Sequence, residues 1–133
     1  MKIVLVSHNA LSEGILKAAE MIGGAHEGVA AFGLYPEDDG AALAAKVTEW
    51  LDSQEADDQV LVLSDLYFGS PFNAMVALSQ QRDICHVTGM NLAMVIEAIS
   101  LMDDGISAKE VAEQIVPLAR EGVVDVNEVL ASM

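Results

Sequence analysis

The sequence predicts an α/β protein with a doubly wound, mostly parallel open sheet. The sheet is expected to have four parallel strands, a C-terminal edge strand and helices on both faces. Short apolar runs alternate along the chain with segments whose apolar residues recur at helical spacing. No repeat, linker or low-complexity tract interrupts this alternation, and a length of 133 residues suits one domain. We therefore expect a single domain over residues 1–133.

The first half of the chain predicts two strands and two helices. Residues 3–6 are apolar at every position, which is typical of a parallel strand buried on both faces. Residues 11–22 carry apolar side chains at helical spacing, and the glycines that follow them end this helix. A second strand is predicted over Val29–Leu34, and a second helix buries its apolar residues over 43–51.

The second half begins with the clearest strand of the sequence, which is predicted over residues 60–63. Ser70 is expected to cap the third helix, with Pro71 at its first position, because proline lacks the N–H that a helix start leaves unpaired. A fourth strand is predicted over residues 84–87, and Asn91 is expected to cap the fourth helix.

The C-terminal part predicts one more helix and one more strand. Ser107 and Glu110 have the spacing of a capping box at the start of a fifth helix. Gly122 is expected to end that helix. Residues 123–126 form a last short apolar run, which we interpret as an edge strand of the sheet.

Composition and charge exclude several classes of protein. The formal net charge of −15 argues against nucleic acid and anionic membranes as partners, because both require a basic face. This charge favours partners with a basic docking face, although it also agrees with simple solubility. No apolar run reaches the roughly 18–20 residues that cross a bilayer, and the first residues lack a signal peptide pattern, so we expect a cytoplasmic protein.

Motifs for metals, cofactors and disulfides are also missing from the sequence. Cys85 is the single cysteine, which excludes an internal disulfide framework and a cysteine-rich zinc site. Neither a Walker pattern nor a Gly-x-Gly-x-x-Gly pattern occurs, so nucleotide binding has no support. We therefore expect no cofactor and no metal.

Polar residues follow two predicted strands at the point where each strand ends. His8 follows the first strand, and Asp65 through Ser70 follow the third. In doubly wound sheets the working residues collect beyond the carboxyl ends of the strands. If the first and third strands are neighbours, His8, Asp65 and Ser70 should converge.

These residue types suit phosphoryl chemistry on histidine. An imidazole nitrogen can act as a nucleophile when the ring is held in one tautomer, and Asp65 could accept the hydrogen bond that holds it. Gly69 and Ser70 precede a helix, where unpaired N–H groups and the helix dipole favour a phosphate. Simpler interpretations remain for each residue, namely a polar loop histidine, a turn aspartate and an ordinary N-cap.

In this arrangement the sequence resembles the IIA proteins of the mannose family of the bacterial sugar phosphotransferase system (PTS). Members of that family open with a short apolar strand ending in a histidine, as residues 3–8 do here. An aspartate after the third strand precedes Gly-Gly-[Ser/Thr]-Pro-Phe, which corresponds to Asp65 and residues 68–72. A later Gly-x-Asn element corresponds to residues 89–91, and the similarity runs over roughly residues 2–126.

The resemblance implies a phosphocarrier. His8 would accept a phosphoryl group from the phosphocarrier protein HPr and pass it to a IIB component, with sugar entering through membrane IIC and IID components. Asp65 would orient His8, and Ser70 with backbone groups of Gly69 and Phe72 would contact the phosphoryl group. The family also implies a homodimer in which the C-terminal strand, here residues 123–126, is exchanged between subunits.

Two positions depart from the family pattern. Phe68 replaces the first glycine of the Gly-Gly pair, and its side chain could narrow the pocket or contact a partner. Ala93 stands where many relatives have proline, a change that should cost little at a helix start. Neither change removes a chemical group from the expected site.

Two other functions remain open at this point. The phosphocarrier subunit of a dihydroxyacetone kinase system resembles the same fold and also begins with a strand ending in a phosphorylatable histidine, but it tends to lack the Ser-Pro-Phe-Asn element. A non-catalytic flavodoxin-like binding or regulatory module is the second alternative, because one fold hosts many functions. Such a module would not need His8 opposite Asp65.

Overall fold

The computed structural model describes residues 1–55 and 59–133. Its sheet has four parallel strands in the order β2-β1-β3-β4. The strands are β1 (Lys2–His8), β2 (Val29–Leu34), β3 (Val60–Ser64) and β4 (Cys85–Thr88). The predicted α/β class, the parallel sheet and the neighbouring positions of the first and third strands are therefore confirmed.

The described residues form six helices, and the first five of them cover the two faces of the sheet. The six helices are α1 (Leu11–Gly23), α2 (Gly40–Asp52), α3 (Ser70–Ser79), α4 (Leu92–Leu101), α5 (Ala108–Glu121) and α6 (Val126–Ala131). The buried core divides at the sheet, with α1, α4 and α5 packing on one face and α2 and α3 on the other. None of the described helices is long and apolar enough to cross a bilayer.

The alternation of side chains along β1 determines where His8 lies. Ile3 and Leu5 belong to the core under α1, α4 and α5, whereas Val4 and Val6 belong to the core under α2 and α3. Because successive side chains of a strand point to opposite faces, His8 lies on the same face as Val4 and Val6. This face is the one that α3 covers.

The register of the central strands brings the first and third strand ends together. Val6 of β1 pairs with Ser64, the last residue of β3. The next residue along each chain segment is Ser7 on β1 and Asp65 after β3, so Asp65 begins its loop beside the end of β1. A parallel pair in this register places His8 and Asp65 at one edge of the sheet.

Several predicted caps are present. The Asn91 side chain accepts from the Met94 N–H at the start of α4. Ser107 and Glu110 form the predicted capping box of α5, in which each side chain pairs with the other residue's backbone N–H. Gly122 is the C-cap of the same helix.

The third helix begins one residue away from the prediction. Gly69, with extended backbone angles, is the N-cap of α3, and Ser70 is its first helical residue. The prediction that Ser70 caps this helix is therefore wrong. Glycine serves as an N-cap without a side-chain acceptor, and the following proline still lies in the first turn.

The predicted C-terminal edge strand is wrong for the described chain. Residues 123–125 belong to no strand, and Val126 begins α6. Asp125 caps that helix by accepting from the Glu128 N–H, which competes with an extended conformation. Every residue from 120 to 133 is exposed, so the valines of this segment bury little surface within the chain.

Candidate functional site

His8 and Asp65 meet at the carboxyl edge of the sheet. One oxygen of Asp65, Oδ2, accepts a hydrogen bond of 2.9 Å from the His8 backbone N–H. The same oxygen lies 2.9 Å from Nδ1 of the His8 ring. The aspartate side chain is only 8% exposed, whereas the histidine side chain is 46% exposed. A buried carboxylate therefore holds both the backbone and the ring of an accessible histidine.

This contact assigns different roles to the two ring nitrogens of His8. A carboxylate only accepts hydrogen bonds, so Nδ1 carries the proton that points to Asp65. In the neutral ring Nε2 then has a free lone pair, and no hydrogen bond to a described residue occupies it. The arrangement leaves a nitrogen with a free lone pair on a partly exposed ring whose orientation is fixed.

The other Asp65 oxygen, Oδ1, is buried without a donor among the described residues. All hydrogen bonds that Asp65 makes within the described chain therefore pass through Oδ2, to a single residue. Removal of this carboxylate would leave two His8 donors, the backbone N–H and the ring N–H, without their common acceptor.

Gly69 provides the space that the His8 ring occupies. A Cβ atom added to Gly69 would lie 2.7 Å from Cε1 of His8, a separation that real Cβ contacts do not show. The missing side chain therefore allows the start of α3 to approach the imidazole directly. The backbone angles of Gly69 are extended, so the requirement for glycine here comes from contact and not from a strained conformation.

The first turn of α3 presents unpaired amides next to this ring. Pro71 has no N–H, and the amides of Ser70 and Phe72 have no acceptor among the described residues. The Gly69 amide differs, because it donates to the Leu66 carbonyl at 3.3 Å. The amides of Ser70 and Phe72, together with the helix dipole, could therefore receive an anion.

The Ser70 hydroxyl is not placed as the sequence alone suggested. Ser70 is exposed, and no hydrogen bond joins its hydroxyl to the His8 ring or to another described residue. His8, Asp65 and Gly69 thus form a contacting group, and Ser70 adjoins that group through its backbone.

A second polar group supports the neighbouring strand end, and the sequence did not reveal it. Ser64 is fully buried, and its hydroxyl donates to Thr88 Oγ1 at 2.8 Å and lies 2.8 Å from His86 Nε2. Burial lowers the pKa of His86 below its usual value. Phe72 packs on the His86 ring at a centroid distance of 5.1 Å, which links this group to α3. The available signal was the pairing of Ser64 with Thr88 at two adjacent strand ends.

The loop between Asp65 and Gly69 exposes three large apolar side chains. Leu66, Tyr67 and Phe68 are 58%, 63% and 68% exposed. Phe68 has a φ of +64°, in the left-handed region that costs a residue with a Cβ about 1–2 kcal/mol. The glycine expected from the family pattern would adopt this backbone without that penalty.

Within the described residues, no group of three or more histidine, cysteine, aspartate and glutamate side chains could hold a metal ion.

Comparison with known proteins gives consistent similarities. The family model EIIA-man, described as PTS system fructose IIA component, matches residues 2–116. The mannose-specific EIIAB component of Escherichia coli K12 is 33% identical over 122 residues, which are 91% of this chain and 38% of that protein. The chain therefore spans less than half the length of the curated relatives that it matches.

Solved structures agree with these sequence matches. The phosphotransferase system component EIIA from Streptococcus agalactiae superposes with a TM-score of 0.87 at 27% identity, covering 96% of this chain and 98% of that one. The mannose/sorbose-specific IIA subunit from Enterococcus faecalis superposes with a TM-score of 0.82 at 28% identity, covering 93% and 92% of the two chains.

Proposed function

Because this chain belongs to the EIIA-man family of PTS IIA components, we propose that His8 carries a phosphoryl group from phospho-HPr to a IIB component. The observation that supports this proposal is the contact of Asp65 with Nδ1, which leaves Nε2 of the partly exposed His8 ring as the nucleophile.

The transfer step forms a P–N bond on His8 and breaks the bond between phosphorus and the donor atom of phospho-HPr. The lone pair of His8 Nε2 attacks phosphorus, and the electron pair of the broken bond returns to the donor atom. The Nδ1–H of His8 remains bonded to Asp65, which stabilises the positive charge that develops on the ring. Transfer to IIB repeats the exchange with His8 as the leaving group.

The start of α3 is the proposed binding site for the phosphoryl oxygens. The amides of Ser70 and Phe72 have no acceptor among the described residues, and the absence of a side chain at Gly69 lets the helix start approach the His8 ring. The helix dipole adds about 0.3–1 kcal/mol at an exposed site, enough to steady a phosphoryl group but not to supply the whole catalytic effect. The Ser70 hydroxyl could add one charge-assisted hydrogen bond after rotation of its side chain.

A phosphorylation assay tests this function. Incubation with labelled phospho-HPr should label the wild-type protein, the label should be acid-labile, and His8→Ala should remove it. Addition of a IIB component should then discharge the label. No labelling at all would contradict the proposal and favour a binding module, whereas discharge only to a dihydroxyacetone kinase partner would favour the other phosphocarrier.

We further propose that the protein acts in the cytoplasm as a homodimer that serves membrane IIC and IID components. Residues 120–133 are all exposed and include the apolar side chains of Val123 and Leu130, which a second subunit could cover. Sedimentation equilibrium should give twice the chain mass, and a chain ending at Gly122 should give the monomer mass. A monomeric full-length chain would contradict the dimer without affecting the proposed role of His8.

A further inference from the structure

We propose that the IIB component docks on a surface formed by Leu66, Tyr67 and Phe68, which we call the apolar ridge. We further propose that Phe68 contributes to the choice of that partner. The inference rests on the proposed transfer from His8 to IIB. It goes beyond that proposal because it gives a role to side chains that take no part in the chemistry of the phosphoryl group.

The backbone of Phe68 is the first argument. Its φ of +64° lies where glycine is favoured, and the family pattern has glycine at this position. A bulky residue in such a conformation is an outlier, and outliers of this kind concentrate at functional sites. The ring of Phe68 is largely exposed, so it gains little from burial within the chain. We therefore infer that the Phe68 side chain contacts another molecule.

The packing of the ridge is the second argument, because its rings are held in place before any partner arrives. The Tyr67 and Phe68 rings meet edge to face at 4.1 Å, and Phe68 contacts Phe72 at 5.5 Å. Phe72 in turn packs on His86, whose Nε2 is bonded to buried Ser64. Exposed aromatic side chains with fixed orientations lose little entropy on binding, and they are typical of interface hot spots.

The position of the ridge relative to His8 is the third argument. The loop that carries the ridge begins at Asp65, which bonds His8, and ends at Gly69, which packs against the His8 ring. A protein that brings its own acceptor group to Nε2 of His8 must therefore approach beside the ridge. We expect that protein to present an apolar patch next to its acceptor group and a basic rim, which would complement the net charge of −15.

The IIB component is the partner to which the ridge is assigned. The curated relatives combine the A and B parts in the name of one mannose-specific component. We therefore expect each IIA component to work with its own IIB component. A residue that departs from the family pattern, such as Phe68, is then expected in the surface that contacts that IIB component. HPr is the other protein that could dock on the ridge. Separate measurements of transfer from phospho-HPr to His8 and of transfer from His8 to IIB distinguish the two partners.

The experiment measures the two half-reactions separately in the full-length chain. Phe68→Gly should lower kcat/KM for transfer to the cognate IIB by about tenfold. The loss should appear in KM, and it should exceed any change in transfer from phospho-HPr. Phe68→Tyr keeps an aromatic ring and should restore most of the rate. Met21→Ala is the matched control, because Met21 is an exposed apolar residue near the far end of α1.

Each other result would overturn a defined part of the inference. Normal labelling of Phe68→Gly with unchanged transfer to IIB would contradict the docking role of the ridge and would leave the proposed role of His8 intact. A larger effect on the HPr step would assign the ridge to the donor, and a change in oligomeric state would assign it to a second copy of the chain. Absence of any labelling in the wild type would contradict the proposed function, and the ridge inference would fail with it. Glycine suits the backbone at this position, so a loss of thermal stability in Phe68→Gly would indicate a structural role instead.

Discussion

Two histidine–aspartate pairs lie at opposite ends of the sheet, and they differ in how the ring nitrogens are used. His8 lies at the carboxyl end of β1, with Nδ1 2.9 Å from Asp65 and with no described residue hydrogen-bonded to Nε2. His26 lies before the amino end of β2, with Nε2 2.7 Å from Asp103. Its Nδ1 accepts from the Gly28 N–H at 2.9 Å, so both nitrogens of His26 are engaged.

The carboxylates of the two pairs, Asp65 and Asp103, also differ in how much solvent reaches them. The Asp65 side chain is almost fully buried, whereas the Asp103 side chain is 73% exposed. An exposed pair of this kind contributes little energy, because water and salt screen it. A short His–Asp distance is common to both pairs and so does not separate the two histidines. A free nitrogen, a buried orienting carboxylate and a nearby helix N-terminus are the features that separate His8 from His26.

Replacing each histidine should give the largest contrast between the two pairs. His8→Gln should reduce labelling by phospho-HPr by more than about a thousandfold, because the nitrogen that attacks phosphorus is removed. His26→Gln should leave labelling within about twofold of wild type, since neither of its ring nitrogens is free. Quantitative transfer of labelled phosphate checks both. Loss of labelling in His26→Gln with the fold intact would reverse the assignment.

Replacing the carboxylates should give the next largest contrast. Asp65→Asn removes a charge-assisted hydrogen bond of about 1.5–3 kcal/mol, so transfer should slow by about ten- to a hundredfold. Asp103→Asn changes an exposed pair and should alter the rate by less than about twofold. Stopped-flow transfer kinetics measure both variants, with circular dichroism as the check on folding. Equal rates in the two variants would remove the orienting role of Asp65.

Filling the space beside the His8 ring should have a smaller effect. Gly69→Ala would place a Cβ atom 2.7 Å from Cε1 of His8, so the ring must shift, and transfer should slow by about tenfold. Gly23→Ala is the matched control, because nothing lies within 4 Å of the added atom. Transfer rates of both variants test this directly. A Gly69→Ala protein with the wild-type rate would show that the ring position is not critical.

Replacing the third histidine, His86, should change the stability of the fold and not the rate of transfer. This effect should be smaller than those of the replacements at His8, Asp65 and Gly69. Burial lowers the pKa of His86 from its usual 6.5, so the unfolded chain takes up this proton at a higher pH than the folded chain. The stability that neutral His86 contributes is present above about pH 6.5 and is lost as the pH falls below that value. His86→Gln removes the titration while keeping a group that can reach Ser64.

Denaturant unfolding at pH 7.5 and at pH 5.5 measures this difference. The wild type should lose more unfolding free energy than His86→Gln between the two pH values. The two proteins differ only at residue 86, so the difference between their losses reports on His86. An equal loss in the two proteins would contradict the burial effect at His86.

The central part of the fold and the meeting of His8 with Asp65 could be predicted from the sequence. Residues 3–6 and 60–63 are apolar at every position, a pattern that indicates strands buried on both faces. The rule that loops at the carboxyl ends of such strands converge then brings His8 to Asp65. The additional hydrogen bond that the His8 backbone N–H donates to Asp65 could be found only from the actual register of β1 and β3.

Other features depended on contacts that the local sequence does not encode. Residues 123–126 are rich in β-branched valine, but they pair with no described strand of the sheet, and the Asp125 cap favours a helix instead. Ser70 and Gly69 are both acceptable N-caps, so only the backbone angles decide between them. The left-handed conformation of Phe68 also escapes prediction, because phenylalanine rarely adopts it.

Identification of the phosphorylated nitrogen tests the central claim most directly. The protein labelled with ¹⁵N in its histidines and phosphorylated by phospho-HPr can be studied by long-range ¹H–¹⁵N and ³¹P NMR. We expect the phosphoryl group on Nε2 of His8, with Nδ1 protonated and still bonded to Asp65. Phosphate on Nδ1 of His8, where it would displace Asp65, or phosphate on His26 or His86, would contradict this account.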